Sequence, residues 1–232
     1  MAIEVDHVFI CCSPGAPEAD ALVNIGLSEG SPNTPPGQGT ANRRFFFRNM
    51  FLELLWVSSP KEARSPRTRR TKLWERWSSR ASGACPFGIV FRPESIHAGE
   101  APFATWQYRP SYLPAGHAIG VAEGMTLHEP ALFYLPFARR SGAPAHEPLD
   151  HGLPIQRIDQ VSVGLPASAA LSEASMRVAS EGVVRYFPAD QNVLELVFLA
   201  NQEVIFDLRP LLPLRLRGAR KPFVSGLFSR RD

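Results

Sequence analysis

Val5-Asp6-His7-Val8-Phe9-Ile10 and Phe51-Leu52-Glu53-Leu54-Leu55-Trp56 are two runs of strand-forming residues, each interrupted by ionisable side chains. Between them Ser13-Pro14 offers an N-cap followed by proline at the first helical position, and Ala19, Leu22, Val23 and Gly26 recur at helix spacing, with Gly26 as the stop. Residues 30–40 are rich in Gly, Pro, Ser and Asn, a loop by turn chemistry, and Phe45-Phe46-Phe47 then pairs with 51–57 as a hairpin around Arg48-Asn49. The chain later echoes itself as Ile158-Asp159-Gln160-Val161-Ser162-Val163 and Leu194-Glu195-Leu196-Val197-Phe198. Each half thus carries an imidazole or amide on one strand and a carboxylate on a later one. Four such N/O donors, His7, Glu53, Gln160 and Glu195, would suit a divalent metal if brought to one point.

Asp6-His7-Val8, the run Gly37-Gln38-Gly39-Thr40-Ala41-Asn42 and Phe51-Leu52-Glu53-Leu54-Leu55 resemble the vicinal oxygen chelate superfamily, and within it the glyoxalase-like domain proteins. The resemblance implies an α+β fold: repeated βαβββ modules forming a curved, partly open mixed β-barrel with helices outside, plus an additional C-terminal βαβββ module. It also implies a divalent metal (Mn, Fe, Co, Ni or Zn) bound by His7 and Glu53, with Gln160 and Glu195 as the matching pair. The same family pattern leads one to expect a histidine just before the Gly-x-Gly-Thr run, where this chain has Pro35 and Pro36.

The chain has 232 residues, 44% of them hydrophobic, enough for a core of two packed units or three modules of about sixty. Its 22 prolines argue against long helices and for short strands joined by turns. The charge of +3 is mildly basic and concentrates between Lys61 and Arg80 and in the tail from Arg215 to Arg231. Such runs can grip phosphates, but no nucleic-acid motif accompanies them, and Trp74 and Trp77 are spaced as on one helix face. A solvated linker and helix is therefore the expectation, with no nucleic-acid partner. Cys11, Cys12 and Cys85 make no C-x-x-C pair and read as free buried thiols in a reducing compartment. No apolar run approaches the length of a membrane span and no signal segment is evident, so a cytoplasmic protein without a membrane partner is expected.

The expected organisation is a first module over 1–58, a basic linker and helix over 59–83, a degenerate second module over 84–139, a linker over 140–154, a third module over 155–217 and a basic tail over 218–232. In the second segment Phe87–Phe91, Thr105–Tyr108, Ile119–Ala122 and Ala131–Phe137 read as strands, with no helix of normal length among them. In the third, a helix over Ala167–Glu181 follows the first strand. Adjacency pairs the first two segments around the cavity; the ligand echo pairs the first and third.

Glu53 stands in a run apolar on both sides, where a carboxylate must be paired, metal-bound or protonated, and it is the candidate proton-shuttling residue. Strict alternation, however, sets Glu53 and Glu195 on the face opposite their leucine neighbours, which for a one-sided sheet is solvent. The glycines of 37–39 read as a positive-φ turn bringing Asn42 and Arg43 to the rim of a cavity, and the aromatic second segment supplies Trp106 and Tyr108 to its lining. These four are the candidate substrate-binding residues. Three functions follow: a metal-dependent lyase, isomerase or dioxygenase acting on a small oxygen-bearing substrate; a metal-free module that binds or sequesters a small molecule; and a barrel filled by its own phenylalanines. Assembly through strand edges makes a homodimer a further expectation.

Overall fold

A computed structural model describes residues 3–95, 99–139 and 146–220. In chain order its elements are β1 (Ile3–Cys11), α1 (Ala19–Asn24), β2 (Thr40–Phe46), β3 (Phe51–Val57), α2 (Pro60–Ala63), α3 (Leu73–Ser78) and β4 (Phe87–Pro93). There follow β5 (Thr105–Tyr108), β6 (Ile119–Ala122), β7 (Ala131–Tyr134), β8 (Gln160–Leu165), α4 (Glu173–Ser180), β9 (Val184–Pro188), β10 (Val193–Ala200), β11 (Val204–Asp207) and β12 (Leu214–Arg220). The fold is α+β, mostly strand with short helices.

The strands form two mixed sheets. Seven run in the order β2-β3-β1-β4-β7-β6-β5 and five in the order β11-β12-β10-β8-β9. Neither closes: β2 and β5 are the free edges of the larger sheet, so the expected barrel is an open sheet whose inner strands come from residues before 140. The adjacent segments join at β1 and β4, which pair antiparallel from Ile3–Pro93 to Ile10–Phe87. Residues after 154 build the second sheet, which includes a fifth strand, β12, not read from the sequence. That strand reaches Arg220, so the first residues of the expected basic tail are sheet; 221–232 lie outside the described residues.

The two sheets share one apolar core. Val8, Ile10, Leu52, Leu54, Phe87, Ile89 and Leu132 of the larger sheet cluster with Val161, Val163, Leu194, Leu196, Leu214 and Leu216 of the smaller. Period-two alternation then sends the intervening residues of β1, β3 and β4 to the opposite face. That face is not left to water. Phe9, Cys11, Leu55 and Val90 form a second cluster there with Leu73 at the start of α3, and Trp77 packs against it while its indole N–H donates to Cys12 O at 2.7 Å. The larger sheet is therefore buried on both sides, and the basic 59–83 segment is the lid of its second face.

Local signals account for the element ends. Ser172 caps α4, its side chain accepting from Ser175 N, so that helix begins six residues later than the Ala167 spacing suggests. Near the start, Ser13 does not cap a helix. Its backbone N–H instead donates to Glu18 Oε1 at 2.9 Å, Ala16 takes a left-handed φ of 45°, and α1 begins only at Ala19.

Candidate functional site

His7 and Glu53 lie on adjacent parallel strands, with Phe9 opposite Glu53 and His7 opposite Phe51. Both point to the face away from the shared core and line a cavity of about 280 Å³. A register shift between Val5 and His7 makes Asp6 the extra residue of a β-bulge against β4. The bulge lets Asp6 reach the same cavity instead of alternating into the core.

The histidine is held on two sides. Its ring stacks on Phe51 with centroids 4.4 Å apart, and Nδ1 is 2.6 Å from Asp6 Oδ1. An ionised carboxylate only accepts, so Nδ1 carries the proton and Nε2 is the nitrogen left for a ligand. Asp6 is fixed in turn by Arg92, whose Nη1 donates to Asp6 Oδ2 at 2.7 Å, Nε to Glu4 Oε1 at 2.8 Å and Nη2 to Asn49 O at 2.8 Å. Burial opposes the charge on Asp6, but its bonds to His7 and Arg92 outweigh it and hold the carboxyl below the usual range. Burial also works against the imidazolium; the negative charges of Glu53 and Asp6 prevail, and the His7 pKa is raised.

Glu53 is 8% exposed and accepts from Asn42 Nδ2 at 2.8 Å. Burial raises its pKa, and the opposing pull of His7 and Arg44 does not cancel the effect. Arg44 lies over Phe46 and Phe51 and donates through Nε to Ser31 O at 2.7 Å, which sets its charge at the cavity wall.

The Gly-x-Gly-Thr run builds the roof. Gly37 and Gly39 have φ of 77° and 79°, and any Cβ on Gly39 would collide with the backbone of Ala63 and Ser59. This close approach delivers Gln38, whose Nε2 donates to Thr40 Oγ1 at 2.7 Å and whose Oε1 accepts from Tyr112 at 2.6 Å. Pro35 stands where the family pattern has its histidine nearby, and it too lines the cavity. From the second segment come Val90, Tyr108, Ile119, Phe133 and Leu135, apolar apart from the phenol. The Tyr108 hydroxyl is buried without a partner among the described residues, and burial pushes its pKa up to about 12, so at neutral pH it is a proton donor awaiting an acceptor.

The structure brings His7, Glu53, Asn42 and Tyr108 together and separates the other sequence candidates from them. Gln160 and Glu195 lie in the smaller sheet, on the face away from the shared core. Gln160 donates to Val161 O at 2.8 Å, and Glu195 is paired with Arg215 at 3.2 Å and Arg217 at 3.3 Å on the adjacent β12. They complete no ligand set with His7 and Glu53, because the intervening core occupies the faces that would have to meet. Arg43, one residue from Asn42, takes the opposite face of β2, where it grips Glu29 at 2.7 and 2.6 Å and Asp20 at 2.9 Å. Trp106 lies beneath Arg70, 4.4 Å from its guanidinium carbon, and lines a different pocket. Sequence reasoning missed Asp6 and Arg92 as parts of the site. A lone arginine within the buried strand Phe87–Pro93 was the available signal for Arg92.

A protein-held catalytic metal takes about three side-chain ligands. Among the described residues the second segment contributes no His, Cys, Asp or Glu to the cavity, and no group of three such residues able to hold an ion occurs. The donor set does not fit a metal. The three cysteines are free and buried, and burial pushes Cys11 and Cys85 up to about 12, which leaves them unreactive thiols. No helix among the described residues is long and apolar enough to cross a membrane.

Among solved structures, the chain is similar to a hypothetical protein from Staphylococcus aureus, at 10% identity and a TM-score of 0.50, covering 95% of this chain and 100% of that one. It also aligns with a mutant of 4-hydroxymandelate synthase from Streptomyces coelicolor, at 12% identity and a TM-score of 0.46, covering 85% and 72%. No curated protein matches it. The family model described as glyoxalase-like domain matches residues 5–178, a span that holds all of the larger sheet except Ile3 and Glu4 at the start of β1, and every described residue of the His7–Glu53 cavity. With that match over most of its length, the chain belongs to the glyoxalase-like domain family.

Proposed function

We propose that the cavity binds a small, largely apolar or aromatic molecule bearing an oxygen, through side chains alone and without a divalent ion. The observation that carries this reading is the division of the lining: Glu53, His7 and Asn42 gather at one wall, whereas among the described residues the second segment offers only apolar side chains and phenols. A volume of about 280 Å³ is near the lower end for ligand pockets, which favours a compact ligand. The apolar side of the ligand lies against Phe9, Phe133 and Leu135, and its oxygen accepts from Tyr108 or meets Glu53.

Proton transfer by Glu53 is the second reading, favoured by its raised pKa and its place beside His7. A buried carboxylate of this kind removes a proton from carbon or oxygen more readily than an exposed one, and a protonated donor such as Tyr108 steadies the oxyanion that results. Isomerase or lyase chemistry of a carbonyl compound is the class that uses such a pair.

The test is a thermal-shift and calorimetric screen of small aromatic acids, ketones and phenols against chelator-treated protein, beside Glu53→Gln and Tyr108→Phe. Ligands that stabilise the metal-free wild type and bind the variants about tenfold more weakly support the reading. Binding that appears only after reloading with Mn, Fe, Co, Ni or Zn refutes it.

A further inference from the structure

The charged side chains of the basic run do not line the cavity just described, yet its middle forms the wall of a second pocket of about 340 Å³. Thr71 lines both spaces, so the two adjoin at the 69–73 segment. Arg70, Lys72 and Arg76 line the second pocket, and Glu123 is the one acid among its described lining residues.

Arg76 is the unusual member. It is 2% exposed, with Nη1 donating to Cys85 O at 2.5 Å and to Glu129 O at 2.7 Å, Nη2 to Thr126 O at 3.3 Å, and Nε buried without an acceptor. Carbonyl oxygens satisfy its N–H groups but supply no negative charge, and a buried guanidinium ordinarily has an anionic partner. The buried Glu129 carboxylate makes no direct ion pair with it: its Oε1 accepts from Thr126 N at 3.0 Å and its Oε2 from Ser172 N, Ser172 Oγ and Ser175 Oγ at 2.7–2.9 Å.

The two outer cations are positioned as well. Arg70 lies over the Trp106 ring, which leaves its N–H edge free, and its carboxylate neighbour Glu123 is 3.8 Å away with both side chains more than half exposed. Lys72 holds a left-handed φ of 56°, uncommon for a residue other than glycine, asparagine or aspartate, and its Nζ reaches Met125 O at the pocket wall at 3.3 Å. Three cations, one of them buried and without a direct ion pair among the described residues, converge on a space whose described lining holds one exposed acid.

We infer that this pocket is a second binding site, separate from the His7–Glu53 cavity, for a small oxyanion: the phosphate or carboxylate group of a metabolite. The anion sits beside Arg70 and Lys72 and neutralises the field of Arg76 behind them.

Calorimetric titration of the full chain with sodium phosphate, and separately with sodium acetate, at ionic strength held constant with chloride, tests this. The expected result is saturable uptake of one anion per chain; the tighter of the two salts assigns the phosphate or carboxylate source. Arg70→Gln and Lys72→Asn should each weaken binding about tenfold, asparagine being chosen because it adopts the left-handed backbone. Arg64→Gln should leave it unchanged, because Arg64 rests on Trp74 and does not line the pocket. Circular dichroism confirms that the variants fold. The inference is overturned if neither salt saturates, if Arg64→Gln weakens binding as much as the pocket variants, or if both pocket variants bind like the wild type.

Discussion

The Glu53 carboxylate and the His7 imidazole set each other's charge in a place that water scarcely reaches. Glu53 favours the imidazolium and, with Asp6, overcomes the burial that disfavours it. Glu53→Gln keeps the shape and the bond from Asn42 but removes that charge, so the His7 pKa should fall relative to the wild type. Ring-proton NMR titration measures this directly, and an unchanged His7 would show that the two groups do not communicate. Asn42→Ala should act differently: it removes a donor from a buried carboxylate, costing about 1–3 kcal/mol of stability by urea unfolding. The sequence made this site partly legible because a carboxylate in an apolar strand is expensive wherever it faces. It did not reveal what covers the face. Glu53 and Glu195 both sit opposite their leucine neighbours, but the face of Glu53 is roofed by the 33–40 loop and α3, whereas Glu195 is paired with Arg215 and Arg217 of the neighbouring strand. Arg43 and Asn42 make the same point, since a shift of one residue changes the face.

At the scale of elements, turn chemistry was the most readable signal and helix onset the least. The Gly37–Gly39 turn lies where its composition sets it, because only glycine fits a positive φ with another backbone so near. Gly39→Ala should therefore cost about 1–3 kcal/mol in urea unfolding, through backbone strain and collision with the 59–63 turn. It should also weaken ligand binding, because Gln38, Thr40 and Asn42 move with the roof. Helix onset was harder to place because capping competes with tertiary bonds. Ser172 both caps α4 and donates to the buried Glu129, tying the second sheet to the β6–β7 connection. Nothing in the local spacing of 167–181 distinguishes that serine from the other small residues before it. Likewise the expected barrel was read as partly open, but how far it opens was not evident from strand counts, since closure depends on what the edge strands β2 and β5 meet in space.

Over the whole molecule, residues 147–158 stitch the first segment to the second sheet, and His151 is the titratable stitch. Its Nδ1 accepts from Ser28 N at 3.0 Å and its Nε2 is 3.0 Å from Phe46 O, so the ring must be neutral with the proton on Nε2 to satisfy both. Around it, Gly152 N donates to Gly26 O at 2.7 Å, Ser28 Oγ to Asp150 O at 2.8 Å and Asn49 Nδ2 to Ile158 O at 2.8 Å. Burial lowers the His151 pKa, outweighing the bond to Phe46 and the charge of Asp150. A histidine whose folded pKa is depressed binds fewer protons folded than unfolded. Its contribution is therefore present above the unfolded value of 6.5 and is lost as pH falls through that value toward the folded pKa. His7 has the opposite sign: its raised pKa stabilises the fold below 6.5 and ceases to do so as pH rises through the folded value. Total stability near neutrality mixes the two, so a bare pH profile does not separate them. The difference between wild type and His151→Ala does, because His7 is common to both. That difference, measured by urea unfolding from about pH 8 to about pH 5, should shrink as the solution is acidified. A difference constant with pH would mean that His151 acts in this junction only by packing against Phe47, whose ring lies 5.4 Å away.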